Sequence, residues 1–521
     1  MYITQALRRA VQVRGKAVAT YDGTRVHTWT ECVDRIARLA AALVKLGITD
    51  GERSAILAHN SDRYYEFLYA AVWAGGVFVP INTRLALPEI AFWLSDSESR
   101  VLLVDDAFAA IAASLKAAGD IPSVKHMVYV GDAGAPEGML AFEEILQAAE
   151  PMADAGRGND DLAGLFYTGG TTGRSKGVML CHRNLVFNAF NTMPTLGLRE
   201  DSRWLHSAPM FHIADCTAVF AGTQIAGSHY FIPGFTPEGV LEAVQRWGIT
   251  DMLLVPTMCN MLVNHPGVED YDLSTLRTIT YGASPMPEAV IVRALEIIPD
   301  CQFVHAYGQT ECAPLSTTCG PQYHVLEGPN AYRFRSVGHA VPGVEVKIVD
   351  EDDTEVPRGT VGEIAVRGPN VMLGYWRQPE LSAETLRGGW MHSGDGGTMD
   401  EDGFVYVVDR MKDMIISGGE NVYSAEVEDA VYQHPAVAEC AVIGVPDDKW
   451  GERVHAIVRL KDGNALDADA VIAHCHTLIA GFKCPRSVAF RDEAMPLSGA
   501  GKILKTELRK PYWEGHEKQV S

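Results

Sequence analysis

Up to about residue 330 the chain alternates apolar segments of two periods, and this alternation constrains the fold more than any other feature. Val33, Ile36, Leu39, Leu43 and Leu46 recur at helical spacing. Thr28 and Glu31 fit a capping box ahead of them, and Gly47 fits the stop. Between such segments lie short apolar runs, Ser54–Leu57, Val101–Val104 and Met127–Val130, with the length of buried strands. Phe67 to Ile81 reads as a buried helix, a turn at Gly75-Gly76 and a buried strand. At about fifteen residues it falls short of the roughly twenty needed to span a bilayer. The alternation predicts α/β sheets with mainly parallel strands.

The pattern changes between about Ser336 and Tyr375. Val344–Val349 alternates with period two, and Gly362–Gly368 repeats the idea, which predicts a small antiparallel, β-barrel-like unit. A second change falls near Asp409–Lys412. Beyond it, Ser424–Gln433 reads as a helix and Val437–Val445 and Val454–Leu460 as strands, enough for a small α+β domain. The expected division is a large N-terminal domain over residues 1–410 hinged to a C-terminal domain over 411–521.

With 521 residues, two to four structural units are expected. The net charge of -22 argues against nucleic acid and anionic lipid as partners. The ten cysteines form no C-x-x-C pair and read as free thiols in a reducing cytoplasm. His474-Cys475-His476 is compact, but adjacent helical residues point in different directions, so a metal site is not expected there. The N-terminal residues lack the apolar stretch of a signal peptide. A cytoplasmic protein with no transmembrane segment is the expectation, and a homo-oligomer stays open.

Five short motifs carry the chemistry. Thr168, Gly169, Gly170, Thr171, Thr172, Gly173, Arg174, Ser175, Lys176 and Gly177 form a loop after the apolar run Leu162–Tyr167. Its backbone N–H groups and hydroxyls can converge on phosphate oxygens, and Lys176 adds positive charge. It is not a Walker A loop, because the lysine is followed by glycine rather than Ser or Thr. Tyr307-Gly308-Gln309-Thr310-Glu311 supplies a hard carboxylate of the kind Mg²⁺ takes. Ser393-Gly394-Asp395 supplies two forked acceptor oxygens. Asp409-Arg410-Met411-Lys412-Asp413 and Gly499-Ala500-Gly501-Lys502 complete the set. Alone, Lys502 reads as a solvated lysine in a glycine turn.

In this order the motifs resemble the adenylate-forming superfamily, which holds acyl-CoA synthetases, nonribosomal-peptide adenylation domains and beetle luciferases. The family loop reads Ser-Gly-Thr-Thr-Gly-x-Pro-Lys-Gly; here Gly169 replaces the serine and Ser175 the proline. The resemblance implies that Thr168 to Gly173 and Lys176 hold ATP phosphates. It places Gly282, Ala283 and Ser284 against adenine, with Tyr307 stacked on it. Thr310 would touch the α-phosphate and Glu311 would hold Mg²⁺. Asp395 would bind the ribose hydroxyls, and Arg410 the ribose and phosphate. Lys502 would bridge substrate carboxylate and α-phosphate. Lys412 would be the hinge about which the C-terminal domain turns, withdrawing Lys502 and presenting Gly418 and Gly419 to the pantetheine arm of CoA. Asp409 stands where the family has glycine, and either pairs with Lys412 or faces water.

Pro209-Met210-Phe211-His212 discriminates the branch. Amino-acid-activating relatives have Phe-Asp there; Phe211-His212 is similar to fatty- and aryl-acid ligases, with His212 as an aromatic gate beside the carboxylate. Phe211, Ile213, Ala214 and Asp215 would line the acyl pocket with Ala283, Gly308, Pro314 and Leu315, mostly small and apolar. Asp215 is the odd member: it either points away, into solvent or a helix-packing contact, or faces the pocket and favours a substrate with a hydroxyl or other donor. Lys483, with Arg486 and Arg453, would meet CoA phosphates. The resemblance therefore implies an AMP-forming acid–thiol ligase using ATP, Mg²⁺, CoA and a small-molecule carboxylic acid. A medium- or long-chain fatty acid is the expected substrate. A cinnamate- or ferulate-like acid, or an amide synthetase with a non-CoA acceptor, is the alternative.

Overall fold

The computed structural model describes residues 1–168, 175–284, 286–410, 413–417, 420–447, 449–499 and 501–514, with Tyr332, Asp409 and Arg410 described by backbone only. Among the described residues the strands form sheets of nine, eight, four and five. Two are α/β sheets. In the first, Arg53–Leu57, Val77–Pro80, Val101–Val104, His126–Tyr129 and Leu162–Thr168 run parallel. Lys176–Cys181 returns antiparallel beside the last. In the second, Val18–Asp22, Ser228–Phe231, Arg203–His206, Asp251–Leu254, Thr278–Gly282 and Gln302–Gly308 run parallel. Ligands of such sheets sit beyond the carboxyl ends of the strands. Thr168, His206, Gly282 and Gly308 all lie at those ends.

Local signals set the elements that frame this crevice. Helix Trp29–Lys45 opens on Thr28, whose hydroxyl accepts from the Glu31 amide while the Glu31 carboxylate accepts from the Thr28 amide. Helix Asp62–Trp73 is buried along its whole length, and strand Val77–Pro80 follows after Gly75. Tyr64, Tyr65 and Phe67 from this helix share a core with Phe78 and Phe166 of one sheet and Phe231 of the other. A helix without a wet face must neutralise any charge it carries. Glu66 lies beneath Arg35 at 2.5 and 3.0 Å, and Arg25 grips Asp62 at 3.0 Å. Burial still pushes the Glu66 carboxyl up to about 7.

The period-two segments pair antiparallel as Glu345–Val349 and Gly362–Arg367, and Met391–Met399 and Val405–Arg410 extend them to a four-stranded sheet. Beyond it, Ile415, Val422, Val427, Val442, Val454, Val471 and Cys475 enclose a separate core. The ten cysteines are free and buried. Among the described residues, no helix is long and apolar enough to cross a membrane.

Candidate active site

The segment expected to meet the phosphates is built on a hairpin. Thr168 pairs with Lys176 across strands Leu162–Thr168 and Lys176–Cys181; Gly169, Gly170, Thr171, Thr172 and Gly173 lie outside the described residues. Tyr375 reaches this hairpin through its pairing with Val178. Its ring lies 5.2 Å from the Lys176 ammonium, and its hydroxyl donates to Glu311 Oε1 at 2.9 Å. Glu311 sits in the 3-10 turn Thr310–Cys312, and its carbonyl accepts from the Met372 amide at 2.8 Å. Tyr375 thus joins a cation and a carboxylate that the sequence sets 135 residues apart by number (176 and 311). Burial and the Glu311 carboxylate keep its phenol protonated.

At the end expected to meet the ribose, Asp395 is 5% exposed. Its Oδ2 accepts from the Tyr307 hydroxyl at 2.8 Å and from Gln309 Nε2 at 2.7 Å. Gln309 also donates to the Ser393 carbonyl at 2.8 Å, so one side chain ties the Tyr307 strand to the Asp395 strand. The Arg410 backbone lies opposite Asp395 in the antiparallel ladder. Two glycines make these strand ends possible. A Cβ on Gly308 would lie 1.7 Å from the Pro314 carbonyl oxygen, and one on Gly282 would lie 2.1 Å from that of Ala306. Ala283 and Ala313 hold positive φ, 72° and 62°, an uncommon state for non-glycine residues that clusters at functional sites.

On the acyl side, His212 caps helix Ile213–Gln224. Burial and the neighbouring Lys502 ammonium push its imidazole down to about 4, so it is neutral at pH 7. Lys502, near the C-terminus, is thus close enough for its charge to act on His212. Phe211 and Ala214 are partly exposed beside His212, while Ile213 and Leu315 are buried. Thr217, one turn on, donates to the Ala313 carbonyl at 3.3 Å and so marks the helix face turned toward Glu311 and Pro314. Asp215 lies about 200° around the helix from Thr217. The pocket-facing alternative for Asp215 therefore gives way to the packing contact. Its Oδ2 meets His206 Nδ1 at 2.6 Å, His206 Nε2 meets His229 Nδ1 at 2.9 Å, and all three side chains are buried. Burial and His206 keep His229 neutral.

Several contributors carry no local signal in the sequence. Asn60, after strand Arg53–Leu57, donates to the His206 and Ala208 carbonyls and accepts from the Met210 amide, all within 2.8–3.1 Å. It fixes the segment that delivers Phe211 and His212. Gln309 was legible only as a motif neighbour, and Tyr375 only as the end of the antiparallel segment. In the C-terminal part, Lys483 lies against Glu426 at 2.7 and 2.8 Å, so its charge is already matched. Arg486 covers the Trp450 ring at 4.3 Å, and Arg453 stands 3.9 Å from Asp447. Lys412, Gly418 and Gly419 lie outside the described residues.

Residues 7–376 match the family described as AMP-binding enzyme, and residues 426–502 match the AMP-binding enzyme C-terminal domain. The chain is 41% identical over 508 residues to a feruloyl-CoA synthase of Amycolatopsis sp, covering 97% of this chain and 98% of the relative. It is 36% identical to the fatty acid–[acyl-carrier-protein] ligase ScoC of Streptomyces coeruleorubidus, covering 93% and 91%. In structure it is similar to the anthranilate CoA ligase AuaEII in complex with anthranoyl-AMP, with a TM-score of 0.90 at 28% identity, covering 98% and 97%.

Proposed function

The chain belongs to the AMP-binding enzyme family, in the acyl-CoA synthetase branch of the adenylate-forming superfamily, and from that premise we propose an ATP-dependent, AMP-forming ligase that joins a ferulate-type aromatic acid to CoA. The observation that supports the reaction is the docking of the Lys502 turn between the two α/β sheets, where Arg84 donates to the Ser498 carbonyl and Thr257 to the Gly501 carbonyl, each at 2.9 Å. In this reading the Lys502 ammonium serves the same site as the neutral His212, where the substrate carboxylate meets the α-phosphate. The identity of 41% over nearly the full chain supports the aromatic acid. The small residues Ala214, Ala283 and Gly308 leave room for a ring.

In this reading the substrate carboxylate attacks the α-phosphorus of ATP, pyrophosphate leaves, and an acyl-adenylate forms. Lys502 holds the attacking oxygen and the α-phosphate together as charge builds. Lys176 and the Thr168-bounded loop orient the phosphates. Asp395, held by Tyr307 and Gln309, receives the ribose hydroxyls. Glu311 fits Mg²⁺: Tyr375 occupies Oε1, which leaves Oε2 as a hard oxygen donor. Mg²⁺ bound there supplies charge neutralisation on the phosphates. Residues 411–521 then turn about Lys412 as one body and withdraw Lys502. The CoA thiol, losing its proton, attacks the acyl carbon and AMP leaves. Arg486, stacked on Trp450 and not on a carboxylate, is the contact proposed for the CoA phosphates ahead of Lys483 and Arg453. With ten buried thiols, a reducing cytoplasm is the proposed compartment.

A medium- or long-chain fatty acid is the second reading, supported by the relative that is a fatty acid ligase. Pyrophosphate release with Mg·ATP, across ferulate, cinnamate, anthranilate and saturated fatty acids, each with and without CoA, tests both. Turnover with ferulate that requires CoA and yields AMP and a thioester is the expected result. Turnover confined to fatty acids selects the second reading, and sustained turnover without CoA selects another acceptor.

A further inference from the structure

Lys502 reaches His212 only if the turn that carries it docks on the N-terminal sheets. That turn is closed on itself: the Ser498 amide donates to the Lys502 carbonyl at 2.7 Å, and the Lys502 amide donates to Ser498 Oγ at 3.1 Å. It is gripped from both banks of the crevice. Arg84, just beyond strand Val77–Pro80 of one sheet, donates from Nη1 to the Ser498 carbonyl at 2.9 Å. Thr257, at the start of helix Pro256–Val263 beyond strand Asp251–Leu254 of the other, donates from Oγ1 to the Gly501 carbonyl at 2.9 Å.

The fit is close. A Cβ on Gly499 would lie 2.3 Å from Asn82 Nδ2, and one on Gly501, at φ 79°, would lie 2.9 Å from Val255 Cγ2. Asn82 in turn accepts from the Arg84 amide at 2.9 Å, which fixes the bank from which Arg84 reaches. Both acceptors are backbone carbonyls that water can satisfy once the turn leaves. The contacts therefore hold the docked state and cost little to release.

We infer that Arg84 and Thr257 are positioning residues for the adenylation step, forming a two-sided latch on the Ser498–Lys502 turn that sets how often Lys502 occupies the site. The inference rests on the proposed role of Lys502. An interaction present in one conformer and absent in the other changes their populations by its own free energy. The latch acts only in the docked conformer, so its loss slows the first half-reaction and leaves the second intact. A residue that merely stabilised the fold would lower both together.

The test measures the two half-reactions separately in the full chain. Adenylation is read as single-turnover pyrophosphate release from ATP without CoA, using ferulate or laurate, whichever the wild type adenylates. Thiolation is read as thioester formation from the supplied acyl-adenylate and CoA. The Arg84→Ala/Thr257→Val double variant is expected to adenylate about tenfold more slowly with thiolation unchanged. The conservative pair Arg84→Lys/Thr257→Ser should recover most of the rate. Lys502→Ala runs in parallel. If it abolishes adenylation while the double variant matches wild type, or if the double variant loses both half-reactions equally, the latch is overturned. If Lys502→Ala adenylates normally, the Lys502 assignment fails and the latch with it.

Discussion

The Tyr375 hydroxyl donates to Glu311 Oε1 at 2.9 Å while its ring faces the Lys176 ammonium at 5.2 Å. A side chain that orients a ligating carboxylate affects metal affinity at one remove. Tyr375→Phe keeps the ring and removes the hydrogen bond. The Mg²⁺ concentration giving half-maximal pyrophosphate release should rise about tenfold, and Mn²⁺ binding followed by electron paramagnetic resonance should weaken in parallel. An unchanged Mn²⁺ affinity would mean that the Tyr375 bond to Oε1 does not orient the Glu311 carboxylate proposed to meet the metal.

Asp395 accepts from both Tyr307 and Gln309, so its carboxylate is held in place before any nucleotide arrives. Asp395→Ala removes the charge-assisted bonds that Asp395 is proposed to make to the ribose. The KM for ATP should rise about 10- to 100-fold with the KM for the acid unchanged. Equal rises in both constants would indicate a general collapse of the strand ends instead.

His212 has a folded value of about 4 against an ordinary value of about 6.5. As pH falls from 6.5 toward 4, the unfolded chain takes up a proton that folded His212 refuses, so its contribution to stability is present above 6.5 and lost on acidification. His212→Gln removes that loss. Thermal unfolding of both proteins at about pH 7.5 and about pH 5 should show the Tm difference moving in favour of the variant at the lower pH. The opposite movement would mean that folded His212 is protonated.

The buried Asp215–His206 contact at 2.6 Å predicts a stability effect without a selectivity effect. Asp215→Ala leaves the buried His206 Nδ1 without its partner and should cost about 1–3 kcal/mol in urea unfolding. In the milder Asp215→Asn, the ratio of kcat/KM for ferulate over cinnamate should match wild type. A ratio that drops toward unity would place the carboxylate against the substrate hydroxyl.

Patterns written in consecutive residues were legible without a structure. The capping box at Thr28 and Glu31, the buried stretch from Phe67 to Ile81, the period-two strands at 345–349 and 362–367, and the order of the motifs all rest on spacing along the chain. Helix and strand periods and cap chemistry act within a few residues, so the sequence determines them locally. Their combination was also enough to name the superfamily.

Contacts between distant segments were settled only by packing. Asp215 sits in the same short run as Phe211 and His212, yet helical geometry turns it about 200° from Thr217 and into the pair with His206. Tyr375 and Glu311 are 64 residues apart, and Arg84 and Ser498 are 414 apart. No periodicity spans such distances, because each of these hydrogen bonds needs two strand ends or two domains placed to within a fraction of an ångström. The sequence by itself determined which elements form and which chemical groups the chain carries. The tertiary structure decided which of those groups face one another: the turn that carries Lys502 held by Arg84 and Thr257, and Asp215 turned into the pair with His206.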